Sequence, residues 1–152
     1  MVIACYDGSD TAKHAITAAH DLLGDIAVTV VHVWDLPAGL FVPDTFGGME
    51  SWTSAQVSEV DTVVRERAGR LLAEGVTTAT EAGFEAQGRL EHASGSTWRT
   101  IVEVAEELDA SLVILGSHGR SGVESALLGS VSTAVMHHAK RPVLVVPADA
   151  TS

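Results

Sequence analysis

Short apolar runs separated by turn residues, with amphipathic stretches between them, set the rhythm of this chain. Val2-Ile3-Ala4-Cys5-Tyr6, residues 27–33, Leu112-Val113-Ile114-Leu115 and Val143-Leu144-Val145-Val146 are rich in β-branched side chains. Such runs, bounded by turn residues, read as strands buried on both faces, as in a parallel sheet. A further strand, from Phe84 to about Glu91, has mixed polarity and is predicted to lie at a sheet edge.

Between these runs the apolar period changes to that of a helix. Ser9 or Asp10 is placed to N-cap a helix to about Leu23, with Ala12, Ala15, Ile16, Ala19 and Leu23 on one face and Gly24 at its end. From about Ser54 to Thr80 a long helix keeps Val57, Val60, Val64, Ala68, Leu71, Leu72 and Gly75 in register. Its Glu59, Asp61, Arg65, Glu66 and Arg70 form a solvated face. Ser94-Gly95-Ser96 is expected to cap a helix that buries Trp98, Ile101, Val102, Ala105 and Leu108. Gly129-Ser130 opens a last helix, and Arg141-Pro142 stops it before the final strand. Five strands alternating with four helices predict successive right-handed βαβ units, an α/β three-layer sandwich in a single domain over residues 1–152. Residues 35–53 break the rhythm. They hold Pro37, Gly39, Pro43, Gly47 and Gly48, yet also Leu40, Phe41, Val42, Phe46, Met49 and Trp52. So greasy a loop fits a lid over a ligand, a contact with a partner subunit or a flap over the sheet's own edge.

The candidate chemistry lies between the last two strands. Gly116-Ser117-His118-Gly119-Arg120-Ser121-Gly122 is a glycine-punctuated loop, and nine residues separate Gly119 from Gly129-Ser130. Gly116 and Gly119 are expected to use positive φ and to bring bare backbone close to a ligand. Gly129, Ser130 and Val131 would present amides at a helix start, where the dipole favours negative charge. Ser130 and Ser132 would add hydroxyl donors, and His118 an imidazole. Two sets of N–H groups meeting at one place make a phosphate cradle. The loop is neither G-x-x-x-x-G-K-[ST] nor G-x-G-x-x-G. Its glycines also have a plainer explanation, since tight strand-to-helix turns need them in any α/β protein.

Asp7-Gly8-Ser9-Asp10 forms the turn after the first strand. Asp7 suits the turn itself, and it also suits the C-terminal strand end where α/β sheets hold their ligands. His32, inside the second strand, is expected to be a satisfied sheet histidine. Cys5 is the only cysteine, which excludes an internal disulfide and agrees with a reducing compartment. Its place in a strand predicts an inert, buried thiol. His137 and His138 point about 100° apart on a helix and cannot chelate together, so the seven histidines supply no metal-binding spacing. Gly116-Ser117-His118-Gly119 is not G-x-S-x-G, and no serine has a base in evident reach.

Composition narrows the partners. Nine basic against twenty acidic residues give a formal charge of −11, which argues against nucleic acid and against an anionic membrane surface. Only two basic residues, Lys13 and Lys140, are lysines, a balance that suits a salt-rich cytoplasm or a GC-rich genome. Hydrophobic residues make up 46%, no apolar stretch approaches a membrane span, and Asp7 and Asp10 interrupt any leader-like start.

Gly116-x-x-Gly119, nine residues, Gly129-Ser130, continued by Ser130-Val131-Ser132 and closed by residues 141–146, resembles the ATP-binding signature of the universal stress protein family. Tyr6-Asp7-Gly8-Ser9 resembles the first motif of that family, whose aspartate sits against the nucleotide. The resemblance covers essentially the whole chain and is weakest over 35–53. It implies a Rossmann-like sheet of order 3-2-1-4-5, of the adenine-nucleotide alpha-hydrolase-like kind. It further implies a site for ATP or AMP built from Tyr6, Asp7, Val33, Leu115, Gly116, His118, Gly119, Arg120, Gly129, Ser130, Val131 and Ser132. Val33 would line the adenine through its backbone, and Asp7 would hold Mg²⁺ or Mn²⁺ only through the phosphates. The same resemblance implies a cytoplasmic homodimer, joined through the 143–146 edge strand, with a regulatory role in stress survival. Two alternatives accompany it: a slow ATPase or autophosphorylating enzyme, and a nucleotide-independent interaction scaffold.

Overall fold

A computed structural model describes residues 1–37, 53–119 and 128–148. The strands are β1 (Val2–Cys5), β2 (Ala27–Trp34), β3 (Glu85–His92), β4 (Leu112–Gly116) and β5 (Val143–Val146), and the helices are α1 (Asp10–Leu23), α2 (Ser54–Ala82), α3 (Thr97–Glu107) and α4 (Ser130–His138). All strands are parallel, in the order β3-β2-β1-β4-β5. Strand, helix and sheet order therefore follow the sequence expectation, with boundaries shifted by a residue or two.

The sheet splits the core into two layers by the alternation of strand side chains. Val2, Ala4, Val28, Val30 and Ile114 pack with Ala12, Ala15, Ile16 and Ala19 of α1 and Ala79 of α2. Ile3, Val31, Val113 and Leu115 pack on the other face with Ile101, Val104 and Ala105 of α3 and Val135 of α4. In α3 the buried position is Val104, whereas Val102, expected in the core, is only half-buried. Positions 101, 104, 105 and 108 follow the i, i+3, i+4, i+7 stripe, and 102 lies beside it.

Local signals account for the ends of α1 and α2, whereas Ser96, at the N-cap of α3 as expected, makes no side-chain cap hydrogen bond. Ser9 caps α1, its hydroxyl accepting from the Ala12 amide at 3.1 Å. Thr53 and Gln56 form a capping box at the start of α2, a T-x-x-Q signal that was readable in the sequence. Gly24 and Gly83 close α1 and α2 with positive φ. Of the 35–53 loop, residues 38–52 lie outside the described residues, and with them its expected roles. β3 forms the expected edge and carries Glu85, Arg89 and Glu91, with Arg89 paired to Glu91 and to Glu107 of α3.

Candidate functional site

With β1 and β4 adjacent and their connections leaving to opposite sides, a crevice must open beyond their C-terminal ends. It does, as a cleft of about 630 Å³, within the roughly 300–1,000 Å³ usual for small-molecule sites. Tyr6, Asp7, Val33, Leu115, Gly116, His118, Gly119, Gly129, Ser130, Val131 and Ser132 all line it. Every expected site residue is thus brought together except Arg120, which lies outside the described residues. Cys5, Ala12, Val31, His32, Thr97, Ile101 and Leu128 line it too. Thr97 and Ile101 were missed as site residues, because nothing in a helix's own period says that its first turn faces a cleft.

The glycines are required, but by close approach. Neither Gly116, Gly119 nor Gly129 has positive φ, contrary to the expectation for the first two. A Cβ on Gly116 would lie 3.0 Å from the Thr11 carbonyl carbon and oxygen, where α1 crosses the end of β4. One on Gly119 would lie 2.8 Å from Asp7 Oδ2, and one on Gly129 3.1 Å from the Ser117 carbonyl oxygen. At Gly119 the missing side chain keeps the space in front of a carboxylate open.

Asp7 serves both readings at once. Its Oδ1 accepts from the Ser9 amide at 3.0 Å, which closes the turn after β1. Its Oδ2 faces Gly119 across the mouth of the cleft. Tyr6 contributes differently. Its ring lies against Gly75, and its hydroxyl donates to Glu74 Oε1 at 2.8 Å. Burial first, then that hydrogen bond, hold the phenol well above its ordinary range. The Tyr6 side chain is thus committed to α2.

Cradle donors differ in part from the sequence reading. The Gly129 amide donates to the Ser117 carbonyl at 2.7 Å and is taken. The Ser132 hydroxyl is buried and donates to the carbonyls of Ser117 and Gly129, each at 2.9 Å, so it offers no proton to a ligand. What remains is the first turn of α4. The amides of Ser130, Val131 and Ser132 have no intrahelical acceptor, and the exposed Ser130 hydroxyl stands beside them. These point toward anions with the helix dipole behind them.

Ser117, absent from the expected site, ties the cradle together. Its amide donates to the Val146 carbonyl at 2.8 Å, its hydroxyl accepts from the Ala148 amide at 3.2 Å, and its carbonyl receives Gly129 and Ser132. The ends of β4 and β5 and the start of α4 are thereby held to one residue. The Ser117 hydroxyl also lies 3.0 Å from His118 Nδ1.

The opposite wall is apolar with a polar edge. Val31, Val33, Leu115 and Ile101 supply the apolar surface. The β1–β2 ladder ends at Cys5↔Val31, with the Tyr6 amide on the Val31 carbonyl at 2.9 Å. Val33, two residues on, turns its amide and carbonyl to the same side, where β1 has already left the sheet. A flat ring seated there meets one donor and one acceptor from the main chain. Cys5 lies beneath, half-buried and lining the cleft rather than fully buried as expected, and desolvation and the Asp7 charge push its thiol from an ordinary 9.0 to about 12.

Among the described residues a cation in the cleft has one carboxylate to meet, that of Asp7, and no cluster of three ligating side chains occurs. That donor set fits a Mg²⁺ or Mn²⁺ ion brought in by phosphates, which keeps most of its own waters. Nor is any helix among the described residues long and apolar enough to cross a membrane.

Comparison with known proteins agrees with this fold. The model of the Universal stress protein family matches residues 1–147. Universal stress protein MJ0531 of Methanocaldococcus jannaschii is 34% identical over 144 residues, 92% of this chain and 77% of that protein. The solved structure of MJ0577 superposes with a TM-score of 0.74 at 25% identity, covering 96% of this chain and 94% of the other. A universal stress protein solved in complex with cAMP superposes at 0.64, also with 25% identity, covering 95% and 94%. The chain belongs to the universal stress protein family.

Proposed function

We propose that this protein binds ATP, with Mg²⁺ or Mn²⁺ carried by the triphosphate, as a cytoplasmic homodimeric regulator of the stress response. The observation that carries the reading is the pairing of two unlike walls in one cleft. The amides of 130–132 and the bare Gly119 suit phosphates, while the Val33 main chain and its apolar neighbours suit a purine. The cAMP complex of a relative at 25% identity supports an adenine nucleotide as the ligand class. The triphosphate rests on the cradle, which has room and donors beyond a single phosphate.

Binding is favoured over turnover. Phosphoryl transfer needs a positioned base beside the attacking group. Asp7, the one carboxylate lining the described cleft, already accepts the Ser9 amide and is the natural neighbour of the cation. Hydrolysis is therefore expected to run below ~1 s⁻¹, beneath the ordinary enzyme range. A steady-state turnover above that value would establish the ATPase reading instead.

The decisive variant is Gly119→Val. Its side chain would enter the space 2.8 Å from Asp7 Oδ2, where the phosphates and their cation must pass. Calorimetry should give micromolar or tighter MgATP binding for the parent protein. It should also show a loss of at least about 30-fold in the variant, or ~2 kcal/mol, while adenosine changes little. Equal MgATP affinities for the two proteins would refute the cradle.

A further inference from the structure

His32 is a buried histidine on a strand that has no catalytic task, and its partner is unusual. Its Nδ1 lies 2.7 Å from the carbonyl oxygen of Tyr6. A carbonyl only accepts, so Nδ1 carries the proton. That carbonyl is the next acceptor in the β1–β2 ladder. With Cys5 opposite Val31 and the Tyr6 amide on the Val31 carbonyl, one more ladder step would bring the Val33 amide to Tyr6. The imidazole takes the place of that amide.

We propose that His32 is a positioning residue that ends the β1–β2 ladder one bond early and so keeps the Val33 amide open to the ligand's base. The proposal rests on the nucleotide reading for its ligand, but its structural core does not depend on any ligand. If the Tyr6 carbonyl had no side-chain donor, the cheapest partner for a buried carbonyl at a strand end would be the neighbouring amide. β1 and β2 would then zip one step further and close the polar edge of the base wall. The His32 ring also holds Tyr6, and therefore the turn that begins with Asp7, at a fixed distance from β2.

Two substitutions separate this role from ordinary core packing. An asparagine amide nitrogen falls where Nδ1 stands, and a glutamine nitrogen falls where Nε2 stands. His32→Asn should keep the bond to Tyr6, whereas His32→Gln and His32→Ala should lose it. Amide hydrogen exchange followed by NMR on the ligand-free protein reads the ladder directly. The Val33 amide should exchange at least about tenfold more slowly in the alanine and glutamine variants and stay fast in the asparagine variant. A packing defect would move it the other way. With adenosine and MgATP, affinity should fall by a similar factor of about ten in the alanine and glutamine variants. That equal loss contrasts with the phosphate-selective loss at Gly119.

Val33 exchange that is unchanged or faster in both variants would overturn the proposal, as would equal behaviour of asparagine and glutamine. Should the alanine variant fail to fold, the asparagine–glutamine contrast still decides. Parent protein that binds neither adenosine nor MgATP would refute the nucleotide reading, and the exchange result would then judge the ladder by itself.

Discussion

The Cys5 thiol is the residue whose chemistry the fold alters most legibly. Burial at the end of β1, and then the neighbouring Asp7 charge, disfavour its thiolate and raise its pKa from 9.0 to about 12. The folded state therefore holds this proton more tightly than the unfolded chain does. That contribution is fully present below the unfolded value and is lost as pH rises through the folded one. Stability should fall between about pH 9 and 12, and Cys5→Ala should flatten part of that slope in urea titrations at stepped pH. At pH 7 the thiol should resist disulfide reagents in the native state and react once unfolded. Cys5 is half-buried and lines the cleft, so a reagent can reach it, and rapid native labelling would contradict so high a thiol pKa. Other residues were less legible. Sequence could name Gly116, Gly119 and Gly129, but positive φ, one of its two reasons for the first two, does not hold, and only the fold shows that Thr11 and Asp7 press on them. It counted Ser132 as a donor because a side chain's acceptors in distant backbone leave no trace in a spacing pattern.

At the scale of elements, α2 comes close to the end of β1 and to β2 at Gly75. A Cβ on Gly75 would stand 2.7 Å from Tyr6 Cγ and Cδ1, and 3.0 Å from Val30 Cγ1. Two effects oppose each other in Gly75→Ala. Mid-helix alanine gains about 1 kcal/mol over glycine in helix propensity. Overpacking a close interface costs about 1–3 kcal/mol, and Tyr6 cannot step aside without leaving Glu74. The clash should win, so the variant should be destabilised by about 1 kcal/mol in chemical denaturation; a gain in stability would show that the helix can retreat freely. Tyr6 Oη and Lys13 Nζ both meet Glu74 Oε1 at 2.8 Å, so β1, α1 and α2 share one carboxylate. Hydrogen bonding from Lys13 and then from Tyr6 holds that carboxyl below its usual range. The helices themselves were readable, since their apolar stripes are long and their caps conventional. The pairing of Tyr6 with Glu74, 68 residues apart, was not, because it depends on how two layers meet.

For the molecule as a whole, sheet order decides both where the ligand goes and which edge remains open. Alternating strand and helix signals were enough for the parallel sheet, while its order came from the family signature in residues 116–132. The two edges are unlike. β3 carries Glu85, Arg89 and Glu91, charges that deter another strand. β5 is Val-Leu-Val-Val with no charge, its residues 143–145 are half-buried, and among the described residues β4 is the one strand paired with it. Just past β5 the Ala148 amide donates to the Ser117 hydroxyl at the end of β4. An apolar strand with unpaired main-chain groups is a template for a copy of itself, and closed twofold symmetry places Val143 and Val145 near their mates. Light scattering should therefore find a dimer at micromolar concentration. Val145→Lys would bring like charges together near the axis and should return the protein to monomer. Because β5 lies one strand away from the cleft, on the far side of β4, the lysine variant should still bind MgATP. A parent protein that is monomeric at that concentration would refute the dimer while leaving the nucleotide site standing. Loss of MgATP binding together with the dimer would instead show that the two are linked through β4, whose end bears Gly116 and Ser117.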